Sequence, residues 1–169
     1  QRKVDEDYEV EYQEAGLHHS CALFSYEDME RGKLSLFGEE ISGLTIYRGW
    51  MMKPEMYSDF YTLLEQKGIY LINTPEEYER YHTLPGWYDD FADETAQSVW
   101  ETEGNVENAL LKAKQLSGSY IVKDYVKSRK HEWYDACFIS NIADVANTAS
   151  VIKNFVERQG DSLVGGIVL

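Results

Sequence analysis

Cysteine is scarce in this sequence, and its spacing excludes one common way of stabilising a small fold. The chain has two cysteines among 169 residues, Cys21 and Cys137, and each lies next to apolar residues. Neither a CxxC pair nor a zinc-type spacing occurs, so no structural zinc site is predicted. We expect two reduced, buried thiols, as in a cytosolic protein, with a disulfide between them as the alternative.

Long apolar runs are also missing. No stretch of the sequence reaches the roughly 20 apolar residues that a transmembrane helix needs, and none has the pattern of a signal peptide. We therefore expect a cytoplasmic protein that does not contact membranes. The first residue is Gln1 rather than Met, which favours a sequence that begins inside a longer reading frame.

Basic residues are few, because 16 Lys and Arg face 30 Asp and Glu and the formal net charge is −14. Nucleic-acid backbones and anionic membranes attract clustered Lys and Arg, so neither is an expected partner. The simplest role of the acidic excess is solubility. Four basic residues nevertheless fall within one short window, which indicates a local site for a small phosphate-bearing ligand. They are Lys123, Lys127, Arg129 and Lys130.

Apolar residues make up 43% of the chain and aromatic residues 14%, a composition typical of a packed globular fold. In the first half, Thr74-Pro-Glu-Glu77 matches a capping box at the start of a helix. Strands and helices alternate here, which predicts a parallel α/β sheet with right-handed crossovers. The predicted elements are helices over residues 2–15, 54–67 and 75–82, strands over 21–26, 44–48 and 69–72, and a loop over 27–43 that could hold an edge hairpin.

The pattern loosens between Leu84 and Gly104, where Pro85-Gly86 interrupts the chain, and we place a subdomain junction there. Asp144 is a candidate N-cap for a later helix. The predicted elements beyond the junction are a helix that starts at Val106 and is closed by Gly118, a strand over 120–126 with a possible antiparallel partner over 134–139, a helix over 145–159, and a final strand over 163–169.

The strand over 120–126 and the residues after it are the strongest candidate for a functional site. Alternation along a strand would place Lys123, Tyr125 and Lys127 on one face, and a polar turn with Ser128 and Lys130 would follow. Ammonium groups in this arrangement favour binding of a polyphosphate. An equally good interpretation is an edge strand whose lysines discourage pairing between sheets.

The run Tyr120-Ile-Val-Lys-Asp-Tyr-Val-Lys-Ser128 resembles the nucleotide-binding strand of ATP-grasp proteins, in a little-characterised clade formerly catalogued as a domain of unknown function. Further segments resemble the same clade in the same order, so the resemblance covers nearly the whole chain. They are Arg2-Lys-Val-Asp-Glu-Asp-Tyr8, Tyr47-Arg-Gly-Trp-Met51, Asn73-Thr-Pro-Glu-Glu-Tyr78 with His82, Pro85, Trp87 and Tyr88, and Gly165-Gly-Ile-Val-Leu169.

The resemblance implies an α/β fold in two parts. Residues 1–93 would form an incomplete Rossmann-like pre-ATP-grasp sheet that lacks its first strand. Residues 94–169 would form a small α+β lobe, the N-terminal half of an ATP-grasp domain. The second half of that domain, which supplies the magnesium ligands in the family, would lie outside this chain, so no metal ligand is expected here. Open strand edges would also allow a homodimer.

The resemblance also implies a function and its residues. The parent protein would join a carboxylate to an amine or a thiol through an acyl phosphate, using ATP and magnesium, and this chain alone would be inactive. The nucleotide would contact Lys123, Lys127, Ser128 and Lys130. The position of Arg48 at the end of a predicted strand, rather than the resemblance, indicates that it would bind an anionic substrate or the acyl phosphate, and His82 is a candidate substrate-side residue. Their alternatives are a surface ion pair for Arg48 and a helix-end cap for His82.

Two non-enzymatic functions remain open at this level. The chain could be a degenerate, non-catalytic ATP-grasp-like module that binds a partner protein through an acidic, tyrosine-rich face. A weaker alternative is an acidic mimic of nucleic acid, against which the dispersed charge and the full hydrophobic core both count.

Overall fold

The computed structural model describes residues 3–169, which divide into two compact units between Glu79 and Arg80. Over these residues, α-helices combine with three two-stranded sheets, so the predicted α/β class is confirmed. Each of these sheets has two strands, so the larger Rossmann-like sheet that we expected is not confirmed. The two domains, with their junction near Asp93, stay a prediction. No helix in the described range combines the length and apolar character that a membrane span requires.

The first unit contains the predicted parallel crossover. Strand β3 pairs in parallel with β4, with Leu44 opposite Tyr70. Helix α3 connects them, begins at Pro54, and buries Phe60 and Leu64 against the core. The elements are α1 (Glu9–Ala15), β1 (Ala22–Phe24), α2 (Tyr26–Glu30), β2 (Leu36–Gly38), β3 (Gly43–Thr45), α3 (Pro54–Glu65), β4 (Ile69–Leu71) and α4 (Pro75–His82), in which the division between the units falls.

Residues 27–43 are more ordered than the loop that the sequence predicted. The Ser25 hydroxyl accepts a hydrogen bond from the Asp28 amide at 3.1 Å and so caps α2. Beyond α2, β2 pairs antiparallel with β1, which lies outside residues 27–43, so the edge hairpin considered within this segment is not the pairing that forms. Arg2, the first residue of the predicted N-terminal helix, lies outside the described residues.

The capping box at the start of α4 is confirmed in both directions. The Thr74 hydroxyl accepts from the Glu77 amide at 3.2 Å, and the Glu77 carboxylate accepts from the Thr74 amide at 2.9 Å. One turn into the helix, the Tyr78 ring stacks on Tyr57 with centroids 3.8 Å apart. This contact ties α4 to the core of the first unit, whose buried residues are Met29, Met52, Tyr57, Phe60, Leu64, Ile69 and Leu71.

The second unit is built around α8, which Asp144 caps as predicted by accepting from the Asn147 amide at 3.0 Å. Helix α5 was missed, and residues 134–136, considered as part of a strand over 134–139, are helical. Strand β6 confirms the antiparallel pairing with β5, but over two residues. The elements are α5 (Leu84–Phe91), α6 (Val106–Ala113), β5 (Tyr120–Ile121), α7 (Trp133–Ala136), β6 (Phe138–Ile139) and α8 (Val145–Gln159).

Residues 163–169, here called the closing segment, were predicted as a strand, and their strand-type bridges are at Val168. Val168 bridges Trp100 on one side and Lys123 on the other, both antiparallel. The buried Glu101 carboxylate fixes this arrangement, because it accepts from the Ile167 amide at 2.7 Å and from three amides of its own loop. The closing segment therefore lies between the 99–101 loop and Lys123.

Candidate nucleotide-binding site

The chain reverses direction immediately after Lys123. Lys123 forms an antiparallel bridge with Ser128, and the Asp124 amide donates to the Lys127 carbonyl at 2.9 Å. The prediction of a continuous strand over 120–126 is therefore wrong, and Lys123, Tyr125 and Lys127 do not share a strand face. The physical reason is a buried carboxylate: Asp124 accepts from the Val126 amide at 2.7 Å and from the Lys127 amide, which closes a tight turn. Residues 123–130 are here called the lysine turn.

The turn brings the predicted nucleotide-binding residues together. Lys123 is half-buried, and burial lowers the pKa of its ammonium group, with Asp124 opposing the shift and the Lys130 charge adding to it. Lys127 and Lys130 are exposed, and Ser128 lies opposite Lys123 in the bridge. Three lysines and one serine thus belong to one turn, and ammonium and hydroxyl groups are donors suited to phosphate oxygens.

Two further side chains lie against the turn. His82, at the end of α4, is part-buried, and burial lowers its pKa, with the Lys127 charge adding to the shift and Asp124 opposing it. The fully buried Cys137 thiol has a raised pKa because of its burial, opposed by a hydrogen bond with Ser128 and by the Lys130 charge. His82 is therefore near enough for the charges of Lys127 and Asp124 to act on it, and the buried Cys137 thiol is hydrogen-bonded to Ser128.

Arg129, the remaining basic residue of the window, has a structural role. Its guanidinium pairs with Glu132 and donates to the Arg158 carbonyl at 3.1 Å and to the Gln159 side chain at 3.2 Å. The hydrogen bond from Arg129 also lowers the pKa of Glu132. Arg129 thus fastens the lysine turn to the C-terminal end of α8, where a cation complements the helix dipole.

Arg48 lies in the first unit. Its side chain is 66% exposed and forms a two-point ion pair with Glu11, with Nη2 3.2 Å from Oε2. It also stands in the wall of an open cavity of about 710 Å³, which is otherwise lined mainly by apolar side chains of α1, β1 and β3. The geometry matches the surface ion pair that the sequence left open as its alternative role.

A metal site was not expected in this chain. Within residues 3–169, no group of three or more His, Cys, Asp or Glu side chains is arranged to hold an ion. The buried carboxylates of Glu101 and Asp124 are occupied by hydrogen-bond donors from the protein. These two carboxylates therefore do not fit a magnesium site. Both cysteines are free, with Cys137 buried and Cys21 half-buried.

Asp124 is the residue that sequence reasoning missed. Its signal was present, because a carboxylate in the middle of an apolar β-type run is anomalous, and Asp often bonds to amides two and three residues onward. Its other partners, Gln159 and Val164, lie too far along the chain to be read from local pattern.

The comparison with known protein families matches the part of the chain that contains the lysine turn. Residues 111–169, about a third of the sequence, match the family described as ATP-grasp domain, R2K clade family 3. This span contains the whole lysine turn and the closing segment. No curated protein and no solved structure matches the chain.

Proposed function

Because residues 111–169 carry an ATP-grasp domain of the R2K clade, we propose that the lysine turn binds the phosphate groups of ATP. The observation that supports this most directly is the convergence of Lys123, Lys127, Ser128 and Lys130 on one turn. Three cations within a few residues of an otherwise acidic chain repel one another, and an anionic ligand relieves that repulsion.

The residues have different roles in this proposal. Lys123 is half-buried, so its charge is less screened by water, and it would hold the inner phosphates. The exposed Lys127 and Lys130 would cover the outer phosphates, and the Ser128 hydroxyl would exchange its hydrogen bond with Cys137 for one to a phosphate oxygen. Phosphoryl transfer depends mainly on such positioning and charge neutralisation, so these residues would act on the transition state as well as on binding.

The reaction that we propose for the parent protein is ATP-dependent ligation in the cytoplasm, where free thiols such as those of Cys21 and Cys137 are usual. A carboxylate would be phosphorylated to an acyl phosphate, and an amine or thiol would then displace the phosphate. His82, beside the lysine turn, and Arg48 are our candidates for contact with the carboxylate substrate. The magnesium ligands would come from residues other than these, and residues 1–169 alone would be inactive. A homodimer through open strand edges remains part of this proposal.

An alternative function is binding of a protein partner by a non-catalytic ATP-grasp-like module. The formal charge of −14 and exposed aromatic side chains such as Tyr134, 81% exposed, favour it. Such a module could be nucleotide-responsive or degenerate, and its degenerate form predicts no nucleotide binding.

Calorimetry with Mg-ATP distinguishes the two. Lys123→Ala is compared with the wild type and with Lys112→Ala, which removes an exposed lysine of α6 in the same unit. Loss of a charged hydrogen bond predicts a roughly tenfold to hundredfold weaker Kd for Lys123→Ala, and Lys112→Ala should stay within about twofold. The same titration on the full natural reading frame tests whether further residues are needed. If neither this chain nor the full natural reading frame binds Mg-ATP, the partner-binding function is favoured instead of ligation.

A further inference from the structure

The Asp124 carboxylate has no exposed surface, and each of its oxygens is engaged twice. One oxygen accepts from the amides of Val126 and Lys127, and the other accepts from the Gln159 side chain at 2.9 Å and the Val164 amide at 3.2 Å. All four donors belong to the protein. A carboxylate whose lone pairs are filled in this way has no site left for a metal ion or for a transferred proton.

The hydrogen bonds of Asp124 determine where the lysines lie. A continued strand would carry residue 127 about 13 Å along the chain from Lys123, at roughly 3.3 Å per residue. The observed turn instead returns the chain, so that Ser128 lies opposite Lys123 and the Lys127 backbone is bonded to Asp124. The cluster of cations exists because the chain reverses at this residue.

We propose that Asp124 is the positioning residue of the nucleotide site, which sets Lys127 and Ser128 beside Lys123 and joins the lysine turn to α8 and the closing segment. This inference rests on the proposed function. Asp124 touches neither substrate nor nucleotide in this proposal, and it acts through the backbone of the residues that do. Its negative charge also offsets part of the repulsion among the three ammonium groups.

The test compares Asp124→Asn with Asp144→Asn in the full chain. Each substitution keeps the side-chain volume but replaces one oxygen by an NH₂ group. Asp144 is the control, because its carboxylate also accepts a backbone amide of the same unit, that of Asn147, but it lies at the opposite end of α8 from Gln159. Thermal melting of both variants measures their loss of stability.

The decisive measurement is affinity for ATP relative to adenosine, by calorimetry and by ligand-observed NMR. Misplaced phosphate-binding groups predict an ATP affinity about tenfold or more weaker in Asp124→Asn, with adenosine within about twofold, and both nearly unchanged in the Asp144→Asn control. If Asp124→Asn does not fold, Gln159→Leu removes one donor to the carboxylate and should weaken ATP binding alone by a few-fold.

Three outcomes overturn the inference. The first is an ATP affinity of Asp124→Asn, or of Gln159→Leu in its place, that equals that of the wild type. The second is a parallel loss of ATP and adenosine binding, which a purely structural role predicts. The third is absence of ATP binding by the wild type in the presence of magnesium, which refutes the proposed function as well and is seen before any variant is made.

Discussion

The most stringent prediction concerns Gly166→Ala in the closing segment. A Cβ atom at this position would lie 1.7 Å from the Glu101 carbonyl oxygen and 2.9 Å from the Thr102 Cα atom. Both neighbours are main chain, so no side-chain rotation can make room. The first distance must rise from 1.7 Å to the 3.4 Å of ordinary contact, and the 99–101 loop must move away from the closing segment.

That movement breaks identifiable hydrogen bonds. The Ile167 amide donates to the buried Glu101 carboxylate at 2.7 Å, and the Glu101 amide donates to the Ile167 carbonyl at 3.0 Å. A bond to a charged acceptor contributes about 1.5–3 kcal/mol and a neutral one about 1 kcal/mol. We therefore expect Gly166→Ala to lower the free energy of unfolding by about 3 kcal/mol or more, which for a unit of this size lowers Tm by at least roughly 12 °C.

The assay is urea unfolding with hydrogen exchange read separately for peptides of the second unit. The control is Gly118→Ala, where a Cβ meets nothing within 4 Å but φ is +90°. That variant carries only conformational strain, about 1–2 kcal/mol. A Gly166→Ala protein within about 1 kcal/mol of the wild type, or no less stable than Gly118→Ala, would refute the contact between the closing segment and the Glu101 loop.

Two further predictions concern the first unit. Thr74→Ala removes half of the capping box and should cost about 1 kcal/mol, seen as faster hydrogen exchange in α4, whereas Thr62→Ala, inside α3, should change little, and equal effects would contradict the box. Burial raises the pKa of Tyr57 from 10.0 to about 12, so the native state keeps its proton longer than the unfolded state. The stability from this residue is fully present below pH 10 and is lost as pH rises toward 12. Urea unfolding between pH 8 and 12 should therefore show a shallower alkaline decline for Tyr57→Phe than for the wild type or the exposed control Tyr134→Phe, and an unchanged decline would contradict the assigned burial.

Short sequence signals at the ends of helices, and the order of the elements, made much of the fold predictable. The caps at Thr74 and Asp144 act over three residues, and both appear in the structure where the sequence placed them. The parallel pairing of β3 and β4 followed from the order of the elements. These features depend on residues that are close together in the sequence or on the order of the elements, so they can be predicted from the sequence alone.

Helix α5 shows how the same reasoning fails. Pro85-Gly86 was interpreted as a break, but Pro85 lies in the first turn of α5, where proline is tolerated. A Cβ at position 86 would lie 2.2 Å from the Arg80 carbonyl oxygen, so glycine there allows the end of α4 to approach α5. The glycine serves tertiary packing, which local pattern does not report.

For the candidate site, too, the sequence indicated which residues to consider but not how they are arranged. Lysine content and family resemblance indicated which residues of 123–130 to consider, but the pattern predicted them on a straight strand. The turn that gathers them is held by Gln159 and Val164, 35 and 40 residues from Asp124. Such contacts follow from the closed fold and have no signature within a window of a few residues.

Gly165 and Gly166 allow the closing segment to pack closely against the segments beside it. Gly165 has a φ of +67°, and a Cβ there would lie 2.2 Å from the Tyr125 ring. The Tyr125 hydroxyl in turn donates to the Glu101 carbonyl, the group against which Gly166 packs. Tyr125 occupies the centre of the lysine turn, so the two glycines let the turn lie directly on the closing segment, while Val168 bonds to the Lys123 backbone from beyond them. The two glycines therefore allow the close packing that brings Val168 within hydrogen-bond distance of the Lys123 backbone.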